Sequence, residues 1–166
     1  LALSFSKFEQ DKNIIPVPPL IRSKIKDLKV VSKDFILVYL TQNQLLKEII
    51  KAAEKVPNVK FECFAENFVC EYMPPNIMIH PISNQIFLDK MAECRAIITT
   101  AGFESVCEAA YLNKPIIMIP IQNHYEQLTN ALDAFRAQIG FYNHEIDMEL
   151  FLYFFEKHKT NKNHHQ

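Results

Sequence analysis

Residues 95–131 read RAIITTAGFESVCEAAYLNKPIIMIPIQNHYEQLTNA, and the fold is decided within them. Ala96 to Ile98 is an apolar run of strand type, followed by a turn through Thr99, Thr100, Ala101 and Gly102. The spacing predicts a helix from about Phe103 to Leu112, a second strand from Pro115 to Ile119 and a second helix opening near His124. Strand, helix, strand, helix is the repeating unit of a parallel α/β sheet.

Gly102 is one of only two glycines in the chain and stands where the first strand hands over to its helix. Glycine permits backbone angles that other residues avoid and lets another group come close to the main chain. The free N–H groups of the helix start and the positive end of its dipole face outward there, which suits a phosphate. Ser105 falls in the first turn, and Glu108 lies three residues on, on the same helix face. A hydroxyl beside free N–H groups can bind phosphate without a metal, and an ionised carboxylate can accept hydrogen bonds from both hydroxyls of a ribose.

Working outward, Phe35 to Leu40 (FILVYL) is a continuous apolar run, as expected of a strand covered on both faces. A helix to about Lys55 follows, with Leu45, Ile49, Ile50 and Ala53 on one stripe and Thr41 or Asn43 as its cap. Val59 to Phe64 and Ile77 to His80 read as two further strands, with loop at 65–75 and a helix from about Asn84 to Glu93. Past the deciding stretch, Gly140 reads as the stop of a helix over about 124–139. The last helix, about 147–158, is apolar around its circumference and so must be buried on several sides or self-associate. The divisions are therefore 1–33, a linker-like arm containing Ile14, Ile15, Pro16, Val17, Pro18, Pro19, Leu20 and Arg22; 34–158, the α/β domain; and 159–166, a polar tail.

The residues Gly102, Ser105, Glu108, Pro115, Pro120, Glu126, Gln127, Asn130 and Ala131 together resemble the nucleotide-sugar motif of glycosyltransferases of the GT-B fold, which have two facing Rossmann-like domains. The nearest patterns are those of UDP-glycosyltransferases and of the transferase that adds N-acetylglucosamine to the lipid-linked peptidoglycan precursor. The resemblance implies a Rossmann-like three-layer α/β domain with a mainly parallel sheet, the C-terminal, donor-binding half of such an enzyme. It implies donor phosphate at Gly102, Phe103 and Ser105, and ribose at Glu108, which stands seven residues before Pro115 as the family's ribose glutamate does. It implies the nucleobase at Pro81, Ile82 and Ser83, and the sugar at Glu126 and Gln127, with Asn130 and Ala131 packing. Asn123 with Glu126 also resembles a capping arrangement, and His124 reads as structural or solvated. Three positions depart from plant-type relatives: Thr100 replaces a phosphate-binding histidine, Phe103 a tryptophan and Glu104 an asparagine. A glutamate beside a diphosphate would repel it, so Glu104 is expected to point away.

The function so implied is that of the donor half of an inverting transferase using a UDP-sugar, with no metal and no cofactor beyond the donor substrate. The chain opens at Leu1 on proline-bearing sequence, and an acceptor-binding N-terminal domain carrying the general base is expected to precede it; alone, this half should bind and not turn over. Two other readings use the same residues: a non-catalytic donor-binding subunit that docks a separate acceptor-binding protein, and half of a nucleotide-sugar epimerase, which needs more acid/base groups in its cleft.

Composition narrows the field. Eighteen basic against nineteen acidic residues give a net charge of -1, which advertises no surface for nucleic acid. Cys63, Cys70, Cys94 and Cys107 form no CxxC pair and read as buried free thiols in a cytoplasmic protein, membrane-peripheral through its other half if at all. His144 and Glu145 lack the second histidine of a metalloprotease helix, and His164 and His165 belong to the tail.

Overall fold

Alternation along FILVYL settles which helices cover which side of the sheet. In the computed structural model Ile36, Val38 and Leu40 face one apolar cluster, while Phe35 and Leu37 face the other. The structure describes residues 2–5, 16, 17, 19 and 21–162. Ile14, Ile15, Pro18 and Leu20 of the proline-bearing arm, and His164 and His165 of the tail, lie outside the described residues.

The elements are β1 (Ala2–Leu3), β2 (Pro16–Val17), α1 (Ser23–Lys26), β3 (Ile36–Tyr39), α2 (Asn43–Glu54), β4 (Phe61–Phe64), β5 (Ile77–His80) and α3 (Asn84–Glu93). They continue with β6 (Ala96–Thr99), α4 (Phe103–Tyr111), β7 (Ile116–Met118), α5 (Tyr125–Arg136), β8 (Phe141–Tyr142) and α6 (Met148–Lys162). β1 pairs with β2, and the other six strands form one sheet in the order β5-β4-β3-β6-β7-β8. Every pairing is parallel, which makes this the expected Rossmann-like three-layer arrangement. From β3 the chain steps outward to β4 and β5, then crosses back to β6 and continues to β7 and β8. The reversal falls between β3 and β6, and in open α/β sheets ligands bind at the carboxyl ends of the strands flanking such a point.

One cluster packs Leu37, Ile97, Ile116 and Met118 against Met91 of α3, Val106 and Ala109 of α4 and Ala131 and Ala134 of α5. The other packs Val38, Ile98 and Ile117 against Ile49 and Ile50 of α2 and Phe151 and Phe155 of α6. Burial of Phe151 and Phe155 accounts for much of the apolar run in the last helix, leaving Tyr153 outward at 61% exposure. Ile25 of α1 is fully buried in the first cluster, so part of the linker-like arm is core.

Several local expectations are corrected. The buried stripe of α2 runs through Leu46, with Leu45 only partly buried. Neither Thr41 nor Asn43 caps α2: its N-cap is Gln42, with no side-chain hydrogen bond. Gly140 does not stop α5, which ends at Arg136 and turns through Gln138 at φ 58°. Gly140 is instead required by proximity, because a Cβ there would stand 2.8 Å from the Ile116 carbonyl oxygen.

All four cysteines are free, with Cys63, Cys94 and Cys107 buried and Cys70 half-buried. Burial raises the Cys63 thiol and pushes Cys94 and Cys107 up to about 12. A thiol reagent at pH 8 should therefore label Cys70 alone in the native protein and all four cysteines in urea, as mass spectrometry would show. Thiols in the unfolded chain ionise near 9.0. The stability linked to Cys94 and Cys107 is thus intact below pH 9 and is lost as pH rises from there toward about 12.

Candidate functional site

The carboxyl ends of β3 and β6 meet through two threonines, Thr41 Oγ1 lying 3.4 Å from Thr100 Oγ1. Ala101, which follows, takes a left-handed conformation at φ 67°, and the Asn130 amide of α5 donates to its carbonyl at 3.2 Å. Asn130 thus fixes the turn that presents α4, and fully buried Ala131 belongs to the same apolar cluster as Ala101. Gly102 is the N-cap of α4 at φ −61°, so the angle that needs glycine's freedom falls instead on Ala101. What glycine supplies at 102 is space: a Cβ there would meet only Ser105 Oγ, at 3.9 Å. The helix start therefore stays open to an approaching group, with no side chain capping its N–H groups.

Phe103, Glu104, Ser105 and Glu108 radiate from this start. Ser105 is half-buried in the first turn, and Glu104 is exposed. The Phe103 ring lies against Phe5, with centroids 4.6 Å apart. Ser4 Oγ and the Phe5 N–H both donate to the Asp133 carboxylate at 2.6 Å, which lays that strand of chain along α4 and α5. Glu108 is 1% exposed, far from the solvated helix glutamate it could have been. Its Oε1 accepts from Arg22 Nε and its Oε2 from Arg22 Nη2, each at 2.5 Å. The hydrogen bond with Glu108 raises the Arg22 pKa against the opposing effect of burial, and the charges of Glu108 and Glu104 add to the rise, with a further contribution from Tyr39.

Next to β6, the loop after β7 carries the residues matched to sugar binding. Glu126 is exposed in the first turn of α5. Gln127 is buried, and its Oε1 accepts from the Ile121 N–H at 3.0 Å, so this side chain braces its own loop. The capping role read for Asn123 belongs to His124, whose Nδ1 accepts from the Gln127 N–H at 3.4 Å; Asn123 holds a left-handed turn at φ 64°. A recess of about 250 Å³ beside this loop is lined by Gln122, His124, Tyr125 and His144, among others.

Pro81, Ile82 and Ser83 lie at the carboxyl end of β5, three strands from β6 and so about 14 Å away across the sheet. Pro81 and Ile82 are exposed, and Ser83 caps α3 by accepting from the Ile86 N–H at 3.5 Å. Beneath them His80 Nε2 and Lys90 Nζ both meet Glu62 Oε2 at 2.7 Å. The phosphate and sugar candidates thus sit on adjacent strands, while the nucleobase candidates stand apart at the sheet edge. A larger recess, about 710 Å³, lies at the amino ends of β3, β4 and β5, lined by residues such as Lys33, Lys60 and Asn76. That is the edge opposite the one where open α/β sheets hold ligands, so the β3/β6 crevice is the better candidate.

Sequence reasoning singled out neither Arg22 as the partner of Glu108 nor Lys114, whose buried ammonium donates to the carbonyls of Val31, Ala92 and Cys94. Neither has a short-range signal. Among the described residues no three His, Cys, Asp or Glu side chains assemble as metal ligands. No helix among them is long and apolar enough to cross a membrane.

A sequence model described as glycosyl transferase family 1 matches residues 2–157. No curated protein matches the sequence. Among solved structures, Phytolacca americana UGT2, complexed with UDP-2fluoro-glucose and pterostilbene, is similar over 84% of this chain and 35% of its own, at 19% identity and a TM-score of 0.59. The glycosyltransferase SnogD from Streptomyces nogalater is similar over 84% of this chain and 39% of its own, at 17% identity and a TM-score of 0.55. For CalG4, the calicheamicin glycosyltransferase, the figures are 76%, 33%, 18% identity and a TM-score of 0.56. The chain therefore spans between 33% and 39% of the length of these structures, and the likeness is one of fold.

Proposed function

The chain belongs to glycosyl transferase family 1, and on that premise we propose that it is the donor-binding half of an inverting glycosyltransferase whose donor is a UDP-sugar. One observation carries this reading. The open, uncapped helix start at Gly102 lies at the β3/β6 switch point, with Ser105 and Glu108 on one helix face beyond it. The UDP-2fluoro-glucose in the Phytolacca structure, which shares this fold, supports UDP as the nucleotide.

In the reaction proposed, the diphosphate rests on the N–H groups at Gly102 and Phe103 and on the Ser105 hydroxyl, and Glu108 receives the ribose hydroxyls. The acceptor oxygen attacks the anomeric carbon from the face opposite the nucleotide. A new C–O bond forms as the bond to the diphosphate breaks, and the nucleotide leaves with the electron pair. Fixed donors at the helix start stabilise that charge without reorganising, which lowers the barrier. A general base takes the acceptor proton, and it belongs to an acceptor-binding domain outside this chain. Exposed Glu126 and the amide N–H groups of Gln127 meet sugar hydroxyls, while Gln127 Oε1, accepting from the Ile121 N–H, holds the loop that carries both.

Calorimetric titration with UDP and a panel of other nucleoside diphosphates tests the reading. UDP should bind in preference, and Glu108→Ala should weaken it by roughly tenfold or more, the loss of one charge-assisted contact. Absence of binding by any nucleotide to the folded, full-length protein would sink the proposal.

A further inference from the structure

Arg22 and Glu108 are 86 positions apart, yet both carboxylate oxygens of Glu108 are engaged by one guanidinium. We propose that Arg22 is a built-in competitor of the nucleotide, occupying the carboxylate that the ribose hydroxyls must reach, so that its side chain has to swing away before a nucleotide can seat. This inference rests on the donor-nucleotide reading above.

Burial carries the argument. A carboxylate bound by one arginine keeps further acceptor positions, and on an exposed glutamate a ribose could use them. Glu108 is 1% exposed, so those positions face protein, whereas the Arg22 side chain is 40% exposed and forms the outer cover. The approach to Glu108 thus runs through the place Arg22 holds. A bidentate pair in which guanidinium and carboxylate both carry charge outweighs hydrogen bonds from neutral hydroxyls to the same carboxylate, so ribose alone exchanges poorly. The rest of the nucleotide, anchored at the α4 start, has to drive the exchange.

The local backbone lets the side chain move alone. Arg22 is the N-cap of α1 in an extended conformation (φ −56°, ψ 135°), outside the helix proper. Ile25, three residues on, is fully buried and keeps α1 docked whether or not the guanidinium is engaged. Swinging Arg22 out changes side-chain torsions and leaves the core untouched. Affinity for the nucleotide is then the intrinsic affinity reduced by the fraction of molecules in which Arg22 is disengaged.

The experiment is calorimetric titration of the full chain, Arg22→Gln and Glu108→Ala with UDP, with circular dichroism confirming that each is folded. Arg22→Gln should bind UDP roughly three- to tenfold more tightly than the unmodified chain, the range expected for releasing one partly exposed ion pair. In the unmodified chain, the Arg22 Nε–H signal in nuclear magnetic resonance should exchange slowly without ligand and rapidly when saturated with UDP. Equal or weaker binding by Arg22→Gln, while Glu108→Ala loses affinity, overturns the competitor and leaves the donor site standing. A slow Arg22 Nε–H signal that persists at UDP saturation overturns it in the same way. No UDP binding by either the unmodified chain or Arg22→Gln overturns the donor reading itself, and the competitor with it.

Discussion

Lys114→Met is expected to lower folding stability by about 3 kcal/mol, the effect of removing one buried ammonium that three carbonyls share, of which Ala92 keeps a second donor in the Val31 N–H at 3.1 Å. Lys114 Nζ donates at 2.6 Å to Val31 and at 2.7 Å to both Ala92 and Cys94, using its three N–H bonds on three backbone oxygens. Ala92 and Cys94 stand at the C-terminal end of α3, where unpaired carbonyls and the negative end of the helix dipole gather. Val31 belongs to the segment entering β3, so one cation ties that segment to a helix end. Methionine keeps the stem and removes every donor. A full penalty of about 1–3 kcal/mol per carbonyl would be larger, but the neighbouring surface recess admits water to part of the site. For a domain of this size the midpoint of thermal unfolding should fall by about 6–12 °C, read by calorimetry or circular dichroism. An unchanged midpoint would mean that water replaces the ammonium at no cost.

Gly140→Ala should cost about 2 kcal/mol, for a steric reason rather than a conformational one. The added Cβ would meet the Ile116 carbonyl oxygen at 2.8 Å, Ile116 Cβ at 3.1 Å and Met118 Cε at 3.2 Å. The methionine tip can move. The carbonyl belongs to β7, which pairs with β6 on one side and β8 on the other, so relief requires β8 to shift. Urea unfolding should report the stability loss, and faster amide exchange should concentrate at Asn143, whose N–H donates to Met118 at 3.0 Å. Loss of stability without change at Asn143 would place the strain elsewhere.

The fold was legible because its signals are local. The apolar run at 35–40, the strand at 77–80 and the helix at 84–93 lie where periodicity and turn residues put them. β8 escaped notice because two residues, Phe141 and Tyr142, are too few to show alternation. The capping expectations at Thr41, Asn43 and Asn123 failed for a related reason. Several polar residues cluster at each helix start, and which of them caps depends on backbone angles such as the φ of 64° at Asn123.

By itself, then, the sequence determined the order of elements, the parallel α/β class and the helix start at Gly102, because hydrophobic period and chain breaks act over a few residues. Only the tertiary structure decided which partners within the chain the charged and amide side chains meet. It covers Glu108 with Arg22 across 86 positions, ties Lys114 to Val31 across 83, and joins Gln127 to the backbone of Ile121. A charged or amide side chain near a helix start has the same local signature whether it meets a ligand, a neighbouring loop or a distant arginine. The choice among these partners is made by which segments packing brings within hydrogen-bond reach, and no period along the chain encodes that.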